Sequence, residues 1–418
     1  MTAMQWPQLI QMRQQLDGAH IADLEACLRE QLRARLADSE AMPGQTVAIG
    51  VGSRGVSPIV KVVRSIVSEL DRAGLEPFIV PAMGSHGGAT ASGQEAVLAE
   101  YGITLASVGA PVRATMEVIE LGRGPSGQTF FGDANAYSAD HVVVIGRVKP
   151  HTDFKGEIES GLCKMTSVGL GKQIGAERIH ETGLAETIPE GAQVAIDYGR
   201  LLLGVALVEN AYDQPAHCEV VAPDQFHATD RRLLVAAKRL LPRLPIDQLQ
   251  LLVVDEMGKN ISGAGMDTNV VGLWRLQSFG EKLPDYHYLA TLRLTEESGG
   301  NATGIGMADF VSGKLVEAMD PDQTYINGTT SLVVSGSRIP MNFPTDAETL
   351  EVAVSAASRL ANRGTPRMAR IRNTMELEEF WASEPVADQL ESEGRAERTG
   401  SSERFAFDDA GDLIGVAT

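Results

Sequence analysis

Between residues 46 and 146, short β-branched apolar runs alternate with stretches of helical period, and that alternation limits the chain to a largely parallel sheet crossed over by helices. Residues 46–51, TVAIGV, read as the first such strand. Pro58 suits the first turn of an amphipathic helix in which Ile59, Val62, Val63, Ile66 and Leu70 share a face, and Gly74 ends it. Residues 76–82 form the next strand, followed by a glycine-rich loop and by Ser92-Gly93-Gln94-Glu95, which has the form of a capping box ahead of a helix. Residues 141–148, HVVVIGRV, have the composition of a strand buried on both faces. The expected fold class is therefore α/β, with two α/β domains and an inter-domain cleft, the first domain a doubly wound, Rossmann-like and mostly parallel sheet. Open sheets of this kind bind ligands beyond the carboxyl ends of their strands, where the sequence sets Arg54, His86 and His151.

A length of 418 residues exceeds one ordinary domain. The Pro/Leu-rich link LPRLPIDQ marks the boundary. Residues 1–245 are expected to form an N-terminal catalytic and cofactor-binding domain, residues 246–373 a smaller α/β domain, and residues 374–418 a tail that packs back on the first. In the second series, residues 249–257, 287–294 and 331–337 read as strands, and residues 308–319 and 347–362 as helices. ELEEFWASEP (376–385) looks helical, residues 395–412 look like loops and a short hairpin, and residues 21–36 form a packing helix.

A net charge of −19 repels phosphate backbones and argues against a nucleic-acid partner. No apolar stretch approaches the ~18 residues of a membrane span, and the first residues carry no basic segment followed by an apolar core. The expected setting is the cytoplasm, with no membrane partner. Cys27, Cys163 and Cys218 are widely spaced and without a CxxC pair, which argues against both a disulfide framework and a cysteine zinc site.

The chemistry-bearing residues concentrate between Arg147 and His180, RVKPHTDFKGEIESGLCKMTSVGLGKQIGAERIH. His151 follows a strand and a Lys-Pro pair, and its unperturbed pKa of ~6.5 suits a general acid or base. His86 lies among Gly84, Ser85, Gly87 and Gly88; glycines let a backbone approach a ligand, although the same sequence also describes a turn capped by a histidine. Lys164 sits in ESGLCKM, where small and apolar neighbours favour a partly buried amine of the kind that forms covalent adducts. His180 follows sixteen residues later in a helical stretch. One histidine cannot bind a metal tightly alone, so something else must supply the other ligands.

This set resembles the lactate racemase family, enzymes that use a nickel-pincer nucleotide derived from nicotinic acid. Ser53-Arg54-Gly55-Val56 is similar to the family's arginine loop, Gly84-Ser85-His86 to its glycine-flanked histidine, Pro150-His151 to its later Pro-His, and Ser160-Gly161-Leu162-Cys163-Lys164 with His180 to its lysine and histidine. The resemblance covers most of residues 45–185. It implies that Lys164 holds the pincer through a thioamide, that His180 is the protein's ligand to nickel, that His86 and His151 are the acid/base pair, and that Arg54 grips the substrate carboxylate. Gly169, Gly171 and Lys172 are candidates for cradling the nucleotide phosphate, from composition alone.

The departures bear on substrate. Arg54 has no acidic residue or proline beside it, and the interval from His151 to Lys164 is about three residues longer than usual, introducing Asp153, Lys155, Glu157 and Glu159. Lys155 becomes a substrate-wall candidate, and Lys259, Asn260 and Asp309 are the polar candidates in the second domain. The expected function is an isomerase that racemises or epimerises a 2-hydroxy acid larger or more polar than lactate, loaded by cofactor-biosynthesis enzymes. The alternatives are a metal-assisted lyase or dehydrogenase acting on a sugar acid, and a non-catalytic nickel-cofactor carrier.

Overall fold

The computed structural model describes residues 6–53, 57–277 and 280–415. It divides into two compact units, one of residues 17–241 and one that joins residues 1–16 to residues 242–418. Strand β1 (Leu9–Arg13) opens the chain and belongs to the second of these.

The unit of residues 17–241 begins with helix α1 (Leu24–Ala37) and strand β2 (Thr46–Val51), followed by α2 (Ile59–Arg72), β3 (Glu76–Pro81) and α3 (Ala91–Glu100). A two-stranded ribbon, β4 (Val118–Arg123) with β5 (Thr129–Asp133), precedes β6 (His141–Arg147). A short helix from Leu162 and a π-helical turn at Met165–Gly169 lead through a turn at Leu170–Gly171, with Lys172 at φ 55, into α4 (Lys172–Thr182) and then α5 (Leu184–Asp197). Then come β7 (Leu201–Glu209), β8 (Pro215–Val221) and α6 (Phe226–Leu240). The sheet order is β3-β2-β6-β7-β8, parallel except for β8 at the edge.

Strand alternation sorts the two faces. Val47, Ile49, Val143 and Ile145 pack with Leu28 and Leu32 of α1 and with Val62, Ile66 and Leu70 of α2. Ala48, Val142 and Val144 pack on the opposite face with Leu162, Ile179, Ile188, Phe226 and Leu233. Both faces are covered, as the continuous apolar runs require, and the sheet is doubly wound. The α3 cap differs from the expected box: Thr90 is the N-cap and accepts from Gly93 N–H at 3.1 Å. Gly93 is required there because a Cβ would stand 1.9 Å from Gly87 O.

The other unit holds an eight-stranded sheet. Its remaining strands are β9 (Gln248–Met257), β10 (Asp285–Leu294), β11 (Phe310–Ser312), β12 (Met341–Phe343), β13 (Met368–Ile371), β14 (Glu379–Ser383) and β15 (Glu397–Glu403), in the order β12-β11-β10-β9-β13-β14-β1-β15. The five strands from β12 to β13 are parallel, and β14, β1 and β15 continue the sheet antiparallel.

Three local expectations fail here. Residues 331–337 are not a strand: residues 334–337 form a 3-10 turn, with Ser335 Oγ donating to Leu276 O and Ser337 Oγ to Thr324 O. Valine propensity loses to these side-chain bonds. Residues 376–385 contain strand β14 rather than a helix, because Phe380 and Ala382 alternate into the core between β13 and β1; helix starts only at Glu384. Residues 308–319 split into β11 and a short helix, Gly313–Ala318. No described helix is long and apolar enough to cross a membrane.

Gly146 on β6 sets the height at which the run beginning at Leu162 lies over the sheet, since a Cβ there would come 2.6 Å from the Gly161 carbonyl carbon. Both partners are backbone, so neither yields cheaply. Gly146→Ala is expected to lower stability by about 1–3 kcal/mol, read as a shift of the denaturant midpoint at unchanged m-value.

Candidate active site

The carboxyl ends of β2, β3 and β6 carry the residues of interest. Beyond β3 the chain turns through Gly84, Gly87 and Gly88, all at positive φ, and places Ser85 and His86 at the surface. Gln94 of α3 organises this loop. Fully buried, it donates from Nε2 to Gly84 O (2.8 Å) and His86 O (3.2 Å), while its Oε1 accepts from Lys172 Nζ at 2.9 Å. His86 Nδ1 meets Ser53 Oγ at 2.5 Å, and Tyr101 OH donates to Ser53 O at 2.5 Å, so the β2 and β3 loops are tied together. Arg54 lies outside the described residues. Beside this junction a concavity of about 550 Å³ is lined by Ser57, Pro58, Lys61, Tyr101 and Asp213.

Lys172 is turned into the interior. Its ammonium is fully buried: it donates to Pro81 O at 2.5 Å and Gln94 Oε1 at 2.9 Å and forms an ion pair with Asp133, whose Oδ2 lies 2.9 Å away. Burial pulls the Lys172 pKa down and pushes that of Asp133 up, each partner's charge offsetting part of the effect. Gly169 and Gly171 have packing reasons of their own: Cβ atoms there would meet Ala82 O at 2.7 Å and Ser167 O at 2.4 Å. The cradle expected from composition is a tight junction, in which Gly84 N–H donates to Gly169 O at 3.1 Å.

Beyond β6, the longer loop folds around a fully buried carboxylate. Glu159 accepts from His151 N–H (2.8 Å), Gly156 N–H (3.3 Å) and Lys238 Nζ (2.7 Å), with Lys155 Nζ at 3.7 Å. It fixes the loop's shape and is not a pocket wall. Lys155, exposed, donates to His151 O at 3.1 Å, and Glu157 pairs with Arg231 at 2.9 Å. The His151 ring lies 4.5 Å from that of Phe154, accepts at Nδ1 from Asp153 N–H (3.1 Å), and has Nε2 2.6 Å from Lys164 Nζ. His151 and Lys164 are thus directly joined, a contact that no spacing rule anticipates.

Lys164 is held by the start of its helix. Asp230 of α6 is fully buried and accepts from Leu162 N–H at 3.0 Å and Cys163 N–H at 2.8 Å. Gly161, at φ 92, is the only residue type that fits beside it, because a Cβ would stand 2.2 Å from Asp230 Oδ1. The π-helical turn at Met165–Gly169 follows, a feature frequent at functional sites. The run then reaches α4, whose Ala176 would touch a Cβ at Gly84 at 3.5 Å. His180, exposed one turn further on, donates from Nδ1 to Ala176 O at 2.6 Å. A carbonyl can only accept, so the neutral ring carries its lone pair on Nε2, the tautomer of a metal-ligating histidine. Among the described residues, no group of three or more His, Cys, Asp or Glu could hold a metal ion.

In the other unit, Lys259 Nζ donates to Gly263 O (2.6 Å) and Asn327 Oδ1 (2.9 Å), and Asn260 Oδ1 accepts from Thr295 Oγ1 (2.6 Å). Asp309 accepts from Arg275 Nη1 at 2.9 Å and Leu289 N–H at 2.8 Å, which gives it a structural task at the β10–β11 junction. The residues sequence reasoning missed are Gln94, Tyr101, Asp133 and Asp230. For Asp230 the signal was a polar residue inside an apolar helical stripe, just before Leu233 and Leu234.

No protein-family model and no curated protein matches the sequence. The fold is similar to that of the lactate racemase apoprotein from Thermoanaerobacterium thermosaccharolyticum, with a TM-score of 0.52 and 12% identity over 88% of this chain and 99% of that one. The likeness is one of fold.

Burial lifts the Asp230 carboxyl to about 7, against the pull of its two amide bonds. The folded state therefore favours the protonated acid; this stability is complete below the ordinary pKa of ~3.9 and is lost as pH rises through about 7. Asp230→Asn should flatten the fall in unfolding free energy between pH 5 and pH 8, measured by urea melts at each pH.

Proposed function

We propose that this protein is a racemase or epimerase of a 2-hydroxy acid larger or more polar than lactate, working with a nickel-pincer nucleotide. The observation that carries this reading is that two successive helical segments present the Lys164 amine and an exposed His180 whose Nε2 carries the lone pair, on a racemase-like fold. A lone imidazole in ligating tautomer fits a metal whose other ligands arrive with an organic group. Lys164 would hold that group and His180 would ligate its nickel. When bound, the nucleotide supplies a hydride acceptor and donor for the hydroxyl-bearing carbon.

The chain's own residues do the rest. Arg54 binds the substrate carboxylate, and Lys155, exposed on the lengthened loop, meets the polar side chain of the acid. His86, with Nδ1 tied to Ser53, works through Nε2, and His151 serves the other face of the substrate. Two bases are required because a stereocentre inverted through a planar keto acid is approached from both sides. In the other unit, Lys259 and Asn260 remain the candidates for substrate contact. The protein would work in the cytoplasm, supplied by the enzymes that build the nucleotide.

Protein co-produced with those enzymes should contain nickel and show an added mass on Lys164; Lys164→Ala should lose both, and His180→Ala only the nickel. His86→Ala and His151→Ala should each slow inversion in both directions by roughly 10²–10⁴-fold. Deuterium placed on the inverting carbon should return to carbon. Its washout into water would sink the hydride mechanism.

A further inference from the structure

The contact between Lys164 and His151 bears on the protonation of both. A neutral imidazole has one N–H, and a backbone amide can only donate. Asp153 N–H points at Nδ1 from 3.1 Å, so the lone pair is assigned there and the ring proton to Nε2. Nε2 stands 2.6 Å from Lys164 Nζ. An Nε2–H needs an acceptor, and an ammonium has no lone pair to offer.

We infer that His151 holds Lys164 as an uncharged amine through an Nε2–H···Nζ hydrogen bond, so that Lys164 condenses with a carbonyl or thiocarbonyl electrophile and His151 is withheld from acid–base work until it has done so. Several described groups near the pair are consistent with this assignment. The carboxylate of Asp153 stands 4.0 Å from Nδ1, too far to take a proton from it in a hydrogen bond. Glu159 spends its carboxylate on the His151 amide, Gly156, Lys155 and Lys238, and Asp230 on the amides that begin the Lys164 helix. Lys155 approaches the His151 carbonyl and adds positive charge near the ring, which disfavours a second proton on it.

In the condensation the Nζ lone pair forms the C–N bond, the bond from that carbon to its leaving group breaks, and an amine proton departs with the leaving group. No oxidant or reductant is consumed. With the lone pair gone, Nζ no longer accepts, and Nε2 is released to face a substrate. The inference rests on the functional reading only in taking Lys164 as the attachment point.

The test uses the full chain without nickel or nucleotide, so that it is decided independently of the pincer reading. Trace acetylation with N-hydroxysuccinimidyl acetate, followed by peptide mass spectrometry, gives the rate at each lysine from pH 6 to 9. The Lys164 rate is expected to level off by pH 8, while the rate at exposed Lys61 keeps rising to pH 9. His151→Phe should return Lys164 to the Lys61 profile. Independently of any variant, the ¹⁵N shifts of the His151 ring at pH 7 should show a neutral imidazole protonated on Nε2. A Lys164 profile parallel to that of Lys61 in the wild type, or a His151 ring protonated on Nδ1, overturns the inference.

Discussion

The constraint on which the site depends is the close approach of the helical run from Leu162 to the carboxyl ends of β2, β3 and β6. Three backbone-to-backbone contacts enforce it: Gly146 against Gly161, Gly169 against Ala82, and Gly84 N–H on Gly169 O. No side chain fits between these surfaces. The lysine and the histidine on that run are therefore carried by a scaffold whose height over the sheet is set by main-chain contact, which is stiffer than contact through rotatable side chains.

Charge buried beneath the surface supports the same arrangement. Lys172, Asp133 and Gln94 form a buried polar knot, and Gln94 passes the restraint on to the carbonyls of Gly84 and His86. Glu159 does the equivalent for the loop after β6. Removing one member of such a knot leaves the others buried and unpaired, and that is more costly than the net contribution of the intact set.

Much of the fold was legible because it rests on periodicity: the strands at 46–51 and 141–147 and the helix carrying Val62, Val63, Ile66 and Leu70 stand where the apolar pattern puts them. The site was legible only as a set of residue types at strand ends. What composition misread was purpose. Glycines at 169 and 171 and the adjoining lysine look like an anion cradle, yet their work is packing and burial, because sequence shows that a backbone comes close to something without showing that the something is another strand. Residues 331–337 and 376–385 failed for a related reason: long-range side-chain bonds in one case and flanking strands in the other overrode the local preference.

The pairing of β1 with β14 and β15 places Leu9 opposite Ser383 on one side and Glu403 on the other. During synthesis, residues 17–241 emerge with all their strands contiguous and can close their sheet while the rest of the chain is still being made. The second unit has no such freedom. Strand β1 is made before residues 17–241 and its partners β14 and β15 after them, so it stays an unpaired edge while that unit closes. Placing β1 after β15 in the sequence would remove that wait while calling for the same strand pairings.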